Sequence, residues 1–192
     1  MSPDPDVTQW LRQMSDGDPA ALDRVVGLLY DELRAMARNR LADERKGHTL
    51  SATAVVNEVY LKLARQHRIA APDRTRFLAV AATTMRRVLV DYARTRRRAK
   101  RGGGEANVPL EDVEHLILSD SEADEVLALD AALTRLSEIN PRGAEVVQQR
   151  FYAGLSLEDT AALLGVSAKT IQRDWIAARA WLRKEVAREL DL

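Results

Sequence analysis

Apolar residues recur every three or four positions along most of this chain, the spacing that places them on one face of an α-helix. Val7, Leu11 and Met14 form the first stripe of this kind, and residues 22–41 carry a longer stripe that predicts a single helix. No segment alternates apolar and polar residues as a half-buried β-strand does. The sequence therefore predicts an all-α protein.

Capping residues mark the expected starts of these helices. Asp18 and Pro19 predict the start of the second helix, because an aspartate accepts a backbone N–H at the N-cap and proline suits the first helical position. Asn140, followed by a proline, gives the same signal in the C-terminal part. Two further helices are predicted over residues 51–64 and 76–98.

Positive and negative charges are separated along the chain, although its 29 Lys and Arg residues balance its 29 Asp and Glu residues. Residues 86–101 are rich in arginine and contain a single acid, Asp91, whereas residues 105–125 are rich in acids and contain no Lys or Arg. The basic run is expected to bind a nucleic acid, because a dense field of like charge repels itself unless an anionic partner neutralises it. The alternative is that these arginines face only solvent and the helix dipole.

The reversal of charge also predicts the domain organisation. Three successive glycines at 102–104 end the basic helix, and the like charges that follow them repel each other and stay solvated. We therefore expect two small helical domains, residues 1–101 and 126–192, joined by a flexible acidic linker over residues 102–125. Such a linker would leave the two domains nearly independent.

Two short helices near the C-terminus have the spacing of a helix-turn-helix unit. Ser156 and Ser167 are placed to cap them, and Gly165 permits the tight turn between them. The inward face of the last helix is formed by Ile171, Trp175, Ala178 and Leu182. The side chains expected to reach bases and phosphates in a major groove are those of Ser167, Lys169, Thr170, Gln172 and Arg173. A helical hairpin with a solvated face is the alternative, but turn, caps and basic face together favour DNA binding.

No constellation in the sequence indicates catalysis, a metal or a cofactor. The chain contains no cysteine, which excludes disulfides and thiolate metal sites and is typical of a reducing compartment. His48, His67 and His115 lack metal-ligand spacing, and no phosphate-binding loop sequence is present. No apolar run is long enough to span a membrane, and the N-terminal residues show no export signal. We therefore expect a cytoplasmic protein that is not an enzyme.

Several stretches resemble the extracytoplasmic-function (ECF) sigma factors of bacterial RNA polymerase. Residues 53–61 are similar to the family's core-polymerase-binding helix, residues 77–101 to its minus-ten-reading helix, and residues 154–171 to its minus-thirty-five reader. Residues 85–91 and 99–104 look like one branch of the family, which is often found beside serine/threonine kinases.

The resemblance implies a sigma factor, which binds core RNA polymerase and promoter DNA in transcription initiation and is a monomer when free. Its first domain would capture a flipped base in the loop at residues 72–76 and help to melt the promoter. The implied core-polymerase contacts are Ser51, Thr53, Val56, Asn57 and Glu58. The implied minus-ten contacts are Arg74, Arg76, Phe77, Arg86, Arg87, Arg94, Arg97 and Arg98. Phe77 and Tyr92 also lie near the apolar stripe of their helix, which favours core positions for both.

The chain departs from the family where many relatives carry an acidic run before the core-binding helix. Ser51, Ala52, Thr53 and Ala54 occupy those positions, and Asn57 replaces a glutamine. We therefore expect phosphorylation of Thr53, or otherwise of Ser51, to supply the negative charge, with a serine/threonine kinase as the regulatory partner and an anti-sigma factor as the alternative. Ser51 also suits a helix N-cap, which requires no modification, and Thr53 would then lie in the first turn.

Two other classes of protein fit part of the sequence. A helix-turn-helix regulator that binds its operator as a dimer would use the first domain for dimerisation or sensing. A nuclease would need a cluster of carboxylates for metal ions, and the sequence shows no such cluster. The requirement for core polymerase in promoter binding separates a sigma factor from the regulator.

Overall fold

The computed structural model describes residues 5–39, 48–66, 68–101 and 118–191, and within these ranges all regular structure is helical. The first half contains α1 (Pro5–Ser15), α2 (Pro19–Leu28), α3 (Tyr30–Arg38), α4 (His48–Ala64) and α5 (Arg74–Arg101). The second half contains α6 (Asp120–Ile139), α7 (Pro141–Val147), a π-helical turn (Gln148–Tyr152), α8 (Leu157–Leu164) and α9 (Ala168–Glu189). The prediction of an all-α protein is confirmed. His67, His115 and residues 102–117 of the expected linker lie outside the described residues.

The N-terminal stripes form helices as expected, with one difference. Asp18 caps α2 by accepting the backbone N–H of Ala20 at 2.9 Å. The stripe at residues 22–41 was predicted as one helix, but Leu29 leaves the helical conformation, with φ −103° and ψ 12°, and divides it into α2 and α3. Leu29 itself stays buried. The break redirects the chain, so that α3 packs against both α4 and α5.

Two residues predicted to contact partners belong to the core of the first half instead. Val56 on α4 is 1% exposed and Phe77 on α5 is 0% exposed, so neither side chain can reach polymerase or DNA. Both lie on the apolar stripes by which α4 and α5 pack together. An apolar side chain is more stable inside this contact than on a surface, which confirms the core position that the stripe favoured for Phe77 and makes Val56 a packing residue as well.

Two helices also begin earlier than predicted. The helix α4 starts at His48, so Ser51 is inside the helix rather than at its N-cap, and Thr53 lies in the second turn. The helix α5 starts at Arg74, because the carboxylate of Asp73 accepts the backbone N–H of Arg76 at 2.9 Å. Residues 74–76, which were placed in a base-capturing loop, are therefore helical.

The second half begins within the stretch predicted to be a linker. Ser119 and Glu122 form a reciprocal capping box, in which the Ser119 hydroxyl accepts the Glu122 N–H at 3.3 Å and the Glu122 carboxylate accepts the Ser119 N–H at 2.6 Å. Leu118, just before this cap, is 3% exposed. Residues 118–125 are therefore folded, because the capping box satisfies helix-terminal N–H groups that a charged coil would leave to water.

The two halves pack on each other, contrary to the expected independence. The helix α5 lies along α6 and also contacts the π-helical turn and α8. One hydrophobic cluster runs through both halves and includes Leu89 of α5 and Leu133 of α6, each 2% exposed. Apolar burial of this kind outweighs the self-repulsion of the acidic residues, on which the prediction of independent domains rested.

We predict that Phe77 contributes to stability and not directly to DNA binding. Phe77→Ala should lower the free energy of unfolding by about 3–5 kcal/mol, since a fully buried aromatic ring leaves a cavity. Phe77→Leu should cost less because it keeps much of the apolar volume. Urea denaturation followed by circular dichroism measures both. An alanine variant as stable as the parent would place the ring outside the core.

Candidate nucleic-acid interface

The helices α8 and α9 form a corner whose three key residues behave as the sequence predicted. The Ser156 hydroxyl accepts the Asp159 N–H at 2.9 Å, and the Ser167 hydroxyl accepts the Thr170 N–H at 3.1 Å. Gly165 ends α8 with φ 66°, a left-handed conformation that residues with a Cβ rarely adopt. These three residues fix where α8 stops and where α9 starts.

The inward face of α9 anchors it and determines which side chains point outward. Ile171, Ala178 and Leu182 are buried, and Trp175 is half-buried. Lys169, Gln172 and Arg173 are exposed on the first turns of the helix. The hydroxyls of Ser167 and Thr170 lie 2.9 Å apart within the cap, so they serve the helix start. Lys169, Gln172 and Arg173 are thus exposed and take no part in the cap, whereas the exposed Ser167 and the half-buried Thr170 do.

An acidic residue that the sequence reasoning missed lies on the buried side of α9. Asp174 is 8% exposed and accepts a hydrogen bond from Nε of Arg142 on α7 at 2.6 Å. Nε of Arg173 lies 3.6 Å from its other oxygen. The hydrogen bond from Arg142 to this carboxylate, followed by its charge, raises the pKa of Arg142. Asp174 therefore connects α9 to α7 and holds one of the outward arginines.

The position of Asp174 in the sequence already indicates that it is paired. Asp174 falls three positions after Ile171 and four before Ala178, which places a carboxylate on the apolar stripe. An acid at such a position is rarely left unpaired, because burying an isolated charge is costly. The sequence therefore indicates that a basic residue of a neighbouring helix pairs with Asp174, but it does not identify that residue as Arg142.

Two of the predicted minus-ten arginines are paired within the first half. Arg74 donates from Nε to Glu32 of α3 at 3.2 Å, and Arg76 donates to Asp73 at 2.7 Å. Both pairs are at least one third exposed, so they are screened by solvent and exchange readily for other anions.

Three further predicted arginines face α6 of the second half. Arg86 donates to the carboxylate of Asp130 from Nε at 2.9 Å and from its terminal nitrogen at 2.6 Å. Arg94 lies 3.9 Å from the other Asp130 oxygen, and Arg97 lies 3.9 Å from Asp124. Arg87 and Arg98, by contrast, are exposed and make no ion pair with the residues that the structure describes. The basic face of α5 is therefore partly neutralised inside the molecule.

A basic cleft remains open beside these pairs. It has a volume of about 550 Å³ and is lined by Asp91, Arg94, Arg97, Arg98 and Leu127. Its arginines share one face of α5, and Leu127 of α6 forms the opposite wall. A phosphate group is small enough for this cleft and would meet several guanidinium groups there.

The helix α4 carries the residues predicted to contact core polymerase, and they differ in exposure. Asn57 is exposed and Glu58 is half-buried. Thr53 is half-buried and accepts a hydrogen bond from the Tyr30 hydroxyl at 3.3 Å. Leu61, which the prediction did not include, is 47% exposed one turn beyond Asn57. Ser51 belongs to α4 by its backbone, and its side chain is outside the described part of the structure.

The described residues contain neither a metal-binding cluster nor a membrane-spanning helix. Among them, no group of three or more His, Cys, Asp or Glu side chains is arranged to hold a metal ion. No helix in the described ranges is both long and apolar enough to cross a membrane.

The chain is similar to a known protein family and to a known protein. The profile of the ECF sigma factor family matches residues 4–188. The RNA polymerase sigma-E factor of Streptomyces coelicolor is 34% identical over 116 residues, which are 58% of this chain and 62% of that protein. The chain thus covers less than two thirds of that relative's length.

We predict that substitution of Arg142 and substitution of Asp174 lower the melting temperature of the protein by different amounts. Arg142→Ala should lower the melting temperature more than Asp174→Asn, because it leaves a buried carboxylate without its hydrogen-bonding partner. Asp174→Asn removes that charge and leaves Arg142 in contact with solvent. Thermal unfolding followed by circular dichroism distinguishes the two. A larger loss for Asp174→Asn would mean that the carboxylate has other important partners.

Proposed function

The chain belongs to the ECF sigma factor family, and from this premise we propose that it directs core RNA polymerase to specific promoters and assists promoter melting. The observation that carries the proposal is the basic, exposed start of α9. Lys169, Gln172 and Arg173 project from a helix whose opposite face is fixed in the core. A capped helix presented in this way fits the major groove of B-DNA, and its first turns reach the base edges.

The proposed minus-thirty-five contacts differ in their chemistry. Lys169 lies in the first turn of α9, beside the positive end of the helix dipole, which suits a phosphate. Arg173 and Gln172 are long enough for guanine and adenine edges, respectively. Ile176, which is 61% exposed one turn beyond Gln172, supplies an apolar surface for a thymine methyl group. Such a mixture of contacts would recognise the base sequence of the promoter as well as its phosphate backbone.

The proposed minus-ten contacts are the arginines of α5. Arg87 and Arg98 are exposed, and Arg94 and Arg97 are about half-exposed. Phosphates along a strand would neutralise this helix and release counterions, which supplies binding free energy without covalent chemistry. We propose that this energy helps to hold the promoter open.

The proposed contact with core polymerase is the outer face of α4. Asn57 and Leu61 are exposed there, and Thr53 lies one turn before Asn57. Leu61 offers an apolar anchor and Asn57 a polar contact, a combination common at protein interfaces. Core polymerase and promoter DNA are the two partners of this proposal, and a cytoplasmic location follows from them.

Transcription in vitro with purified core polymerase tests the function as a whole. The proposal expects promoter-specific transcripts only when core enzyme and this protein are both present, and a free protein that elutes as a monomer. A dimeric regulator would instead bind a palindromic operator without polymerase, with half-sites about one helical turn apart. That second result would overturn the proposal.

We predict that Lys169→Ala and Arg173→Ala weaken binding of the polymerase complex to promoter DNA. Loss of a contact to a base should weaken the binding free energy by about 1–3 kcal/mol. Loss of a contact to a phosphate should reduce the salt dependence of binding. Electrophoretic mobility shift at several salt concentrations measures both effects.

The matched control for these variants removes equal charge elsewhere on the same helix. Arg183 and Lys184 are exposed in the C-terminal half of α9, outside the proposed contact. Arg183→Ala and Lys184→Ala should leave promoter affinity nearly unchanged. Equal losses at both ends of α9 would indicate a general effect of charge rather than a reading surface.

We further predict that phosphorylation of Thr53 strengthens binding to core polymerase. A phosphate adds about −1.5 to −2 charges and three strong acceptor oxygens, where many relatives carry acids. Thr53→Glu should bind core enzyme more tightly than Thr53→Ala in a pull-down with purified core, and Ser51→Glu tests the other hydroxyl. A kinase is the partner that this mechanism requires. Equal binding of Thr53→Ala, Thr53→Glu and the phosphorylated protein would favour an anti-sigma factor as the regulator.

A further inference from the structure

One buried carboxylate holds two arginines at the edge of the exposed start of α9. The side chain of Asp174 is 10% exposed, and each of its two oxygens faces a different guanidinium group. Nε of Arg142, at the start of α7, donates to one oxygen at 2.6 Å, and Nε of Arg173 lies 3.6 Å from the other. We call Arg142 and Arg173 the bridged arginines.

The bridged arginines keep their terminal amino groups available for a second anion. Both face Asp174 through Nε, the nitrogen nearest the aliphatic part of the side chain, and their side chains are 49% and 74% exposed. Neither makes another hydrogen bond or ion pair with the residues that the structure describes. Because a guanidinium carries further N–H groups beyond the one on Nε, a phosphate can bind it while the aspartate still holds it.

The charges at the two ends of α9 differ in their balance. The ion pairs at the C-terminal end contain as many acids as arginines, namely Glu185 and Glu189 with Arg135 and Arg188. At the start of the helix, the bridged arginines share a single acid among the described residues. One positive charge is therefore in excess at this end, and it lies on the exposed side of the buried carboxylate.

The excess charge lies beside the side chains that are proposed to read the minus-thirty-five element. Arg173 belongs to that set, and Arg142 contacts the next residue of α9 although it comes from α7. Phosphates border the base edges of the major groove, so a cation at the border of a reading surface meets the DNA backbone. Arg142 was not among the DNA contacts predicted from the sequence, because its position beside α9 depends on a contact between residues 32 positions apart.

We propose that Arg142 is a further promoter contact, which binds a backbone phosphate, and that Asp174 is a positioning residue, which holds Arg142 and Arg173 in fixed relation to each other. This role rests on the proposed DNA binding by α9. Two guanidinium groups that are held before DNA arrives lose less conformational entropy on binding. The phosphate contact then sets the register of α9 on the duplex, and Arg173 supplies preference for a base.

The first test removes Arg142 without leaving a buried charge unpaired. Asp174→Asn is compared with the double variant Arg142→Ala, Asp174→Asn, so the two proteins differ only in the arginine. The complex of core polymerase and the full-length chain is titrated with a fluorescein-labelled duplex of a promoter identified by the transcription assay. At about 0.1 M salt we expect the double variant to bind roughly tenfold more weakly. The slope of log affinity against log salt should fall by about one.

The positioning role of Asp174 requires a second duplex, in which the minus-thirty-five element is scrambled. Asp174→Asn should lower the preference for the promoter duplex over the scrambled one by roughly fivefold, with the salt slope unchanged, because both arginines remain but Arg173 is no longer held. In an Arg173→Ala background the same substitution should leave the preference unchanged, since the residue that Asp174 positions is absent. If Asp174 only tied α9 to α7, its loss would lower the preference in both backgrounds.

The matched control is Arg188→Ala. Arg188 is also an exposed arginine paired with a buried acid of α9, but it lies at the C-terminal end of the helix. Its removal should change promoter affinity less than twofold and leave the salt slope at the parent value. Should the double variant fail to fold, Arg142→Gln replaces Arg142→Ala in the same background, because glutamine keeps more of the side-chain volume.

The outcomes separate this inference from the proposed function. An unchanged salt slope on removal of Arg142, together with weaker binding by Lys169→Ala, overturns the phosphate contact and leaves reading by α9 intact. An equal loss of affinity in Arg188→Ala also overturns it, because the effect would then come from charge in general. Unchanged affinity on removal of either Arg142 or Lys169 overturns both the inference and the proposed role of α9.

Discussion

The doubly hydrogen-bonded ion pair of Arg86 and Asp130 lies in the contact between α5 and α6. The arrangement of the two described halves depends on this contact. It joins α5, which packs against α1, α3 and α4 of the first half, to α6, which packs against α7 and α9 of the second. Apolar residues of both helices belong to one cluster, so burial of apolar surface stabilises the contact. The ion pair restricts how the two helices are aligned. Shifting α6 along α5 would leave two poorly solvated charges without partners, and this cost fixes the register of the two halves.

The same contact explains how a basic helix remains stable in a folded protein without a ligand. Residues 86–98 of α5 would repel each other if only solvent faced them. Asp91 on α5 itself is bonded to Lys62 of α4 at 3.1 Å, so it contributes little to neutralising the neighbouring arginines. The carboxylates of α6 supply the missing negative charge. Stability and the proposed DNA binding therefore draw on the same side chains, and an increase in one is expected to reduce the other.

Local features of the fold could be predicted from the sequence, whereas long-range contacts could not. The caps at Asp18, Ser156 and Ser167 depend on neighbouring residues only, and the structure confirms them. The start of α6 depends on the capping box of Ser119 and Glu122, a local signal that the high charge density obscured. The apolar stripe favoured a core position for Phe77, but the packing of the two halves depends on residues distant in sequence, which a periodic pattern does not identify. A stripe shows that a residue faces inward, but it does not name the partner that covers it.

The balance of charge in this chain follows from the same principle. Its 29 basic and 29 acidic residues give no net charge, which by itself would argue against a nucleic-acid partner. On both proposed DNA-binding helices, however, an arginine has an internal aspartate: Asp130 holds Arg86 on α5, and Asp174 lies beside Arg173 on α9. Asp174 lies beside Arg173 and favours one orientation of that side chain, as a second layer of residues orients a binding site, whereas Asp130 engages the guanidinium of Arg86 directly. Net charge counts both acids alike, although they differ in effect: Arg173 stays 74% exposed beside Asp174, whereas Arg86 is only 23% exposed in its pair with Asp130. The informative quantity is therefore where each charge is neutralised: Asp174 lies beside the exposed start of α9, whereas Asp130 faces the arginines of α5 themselves.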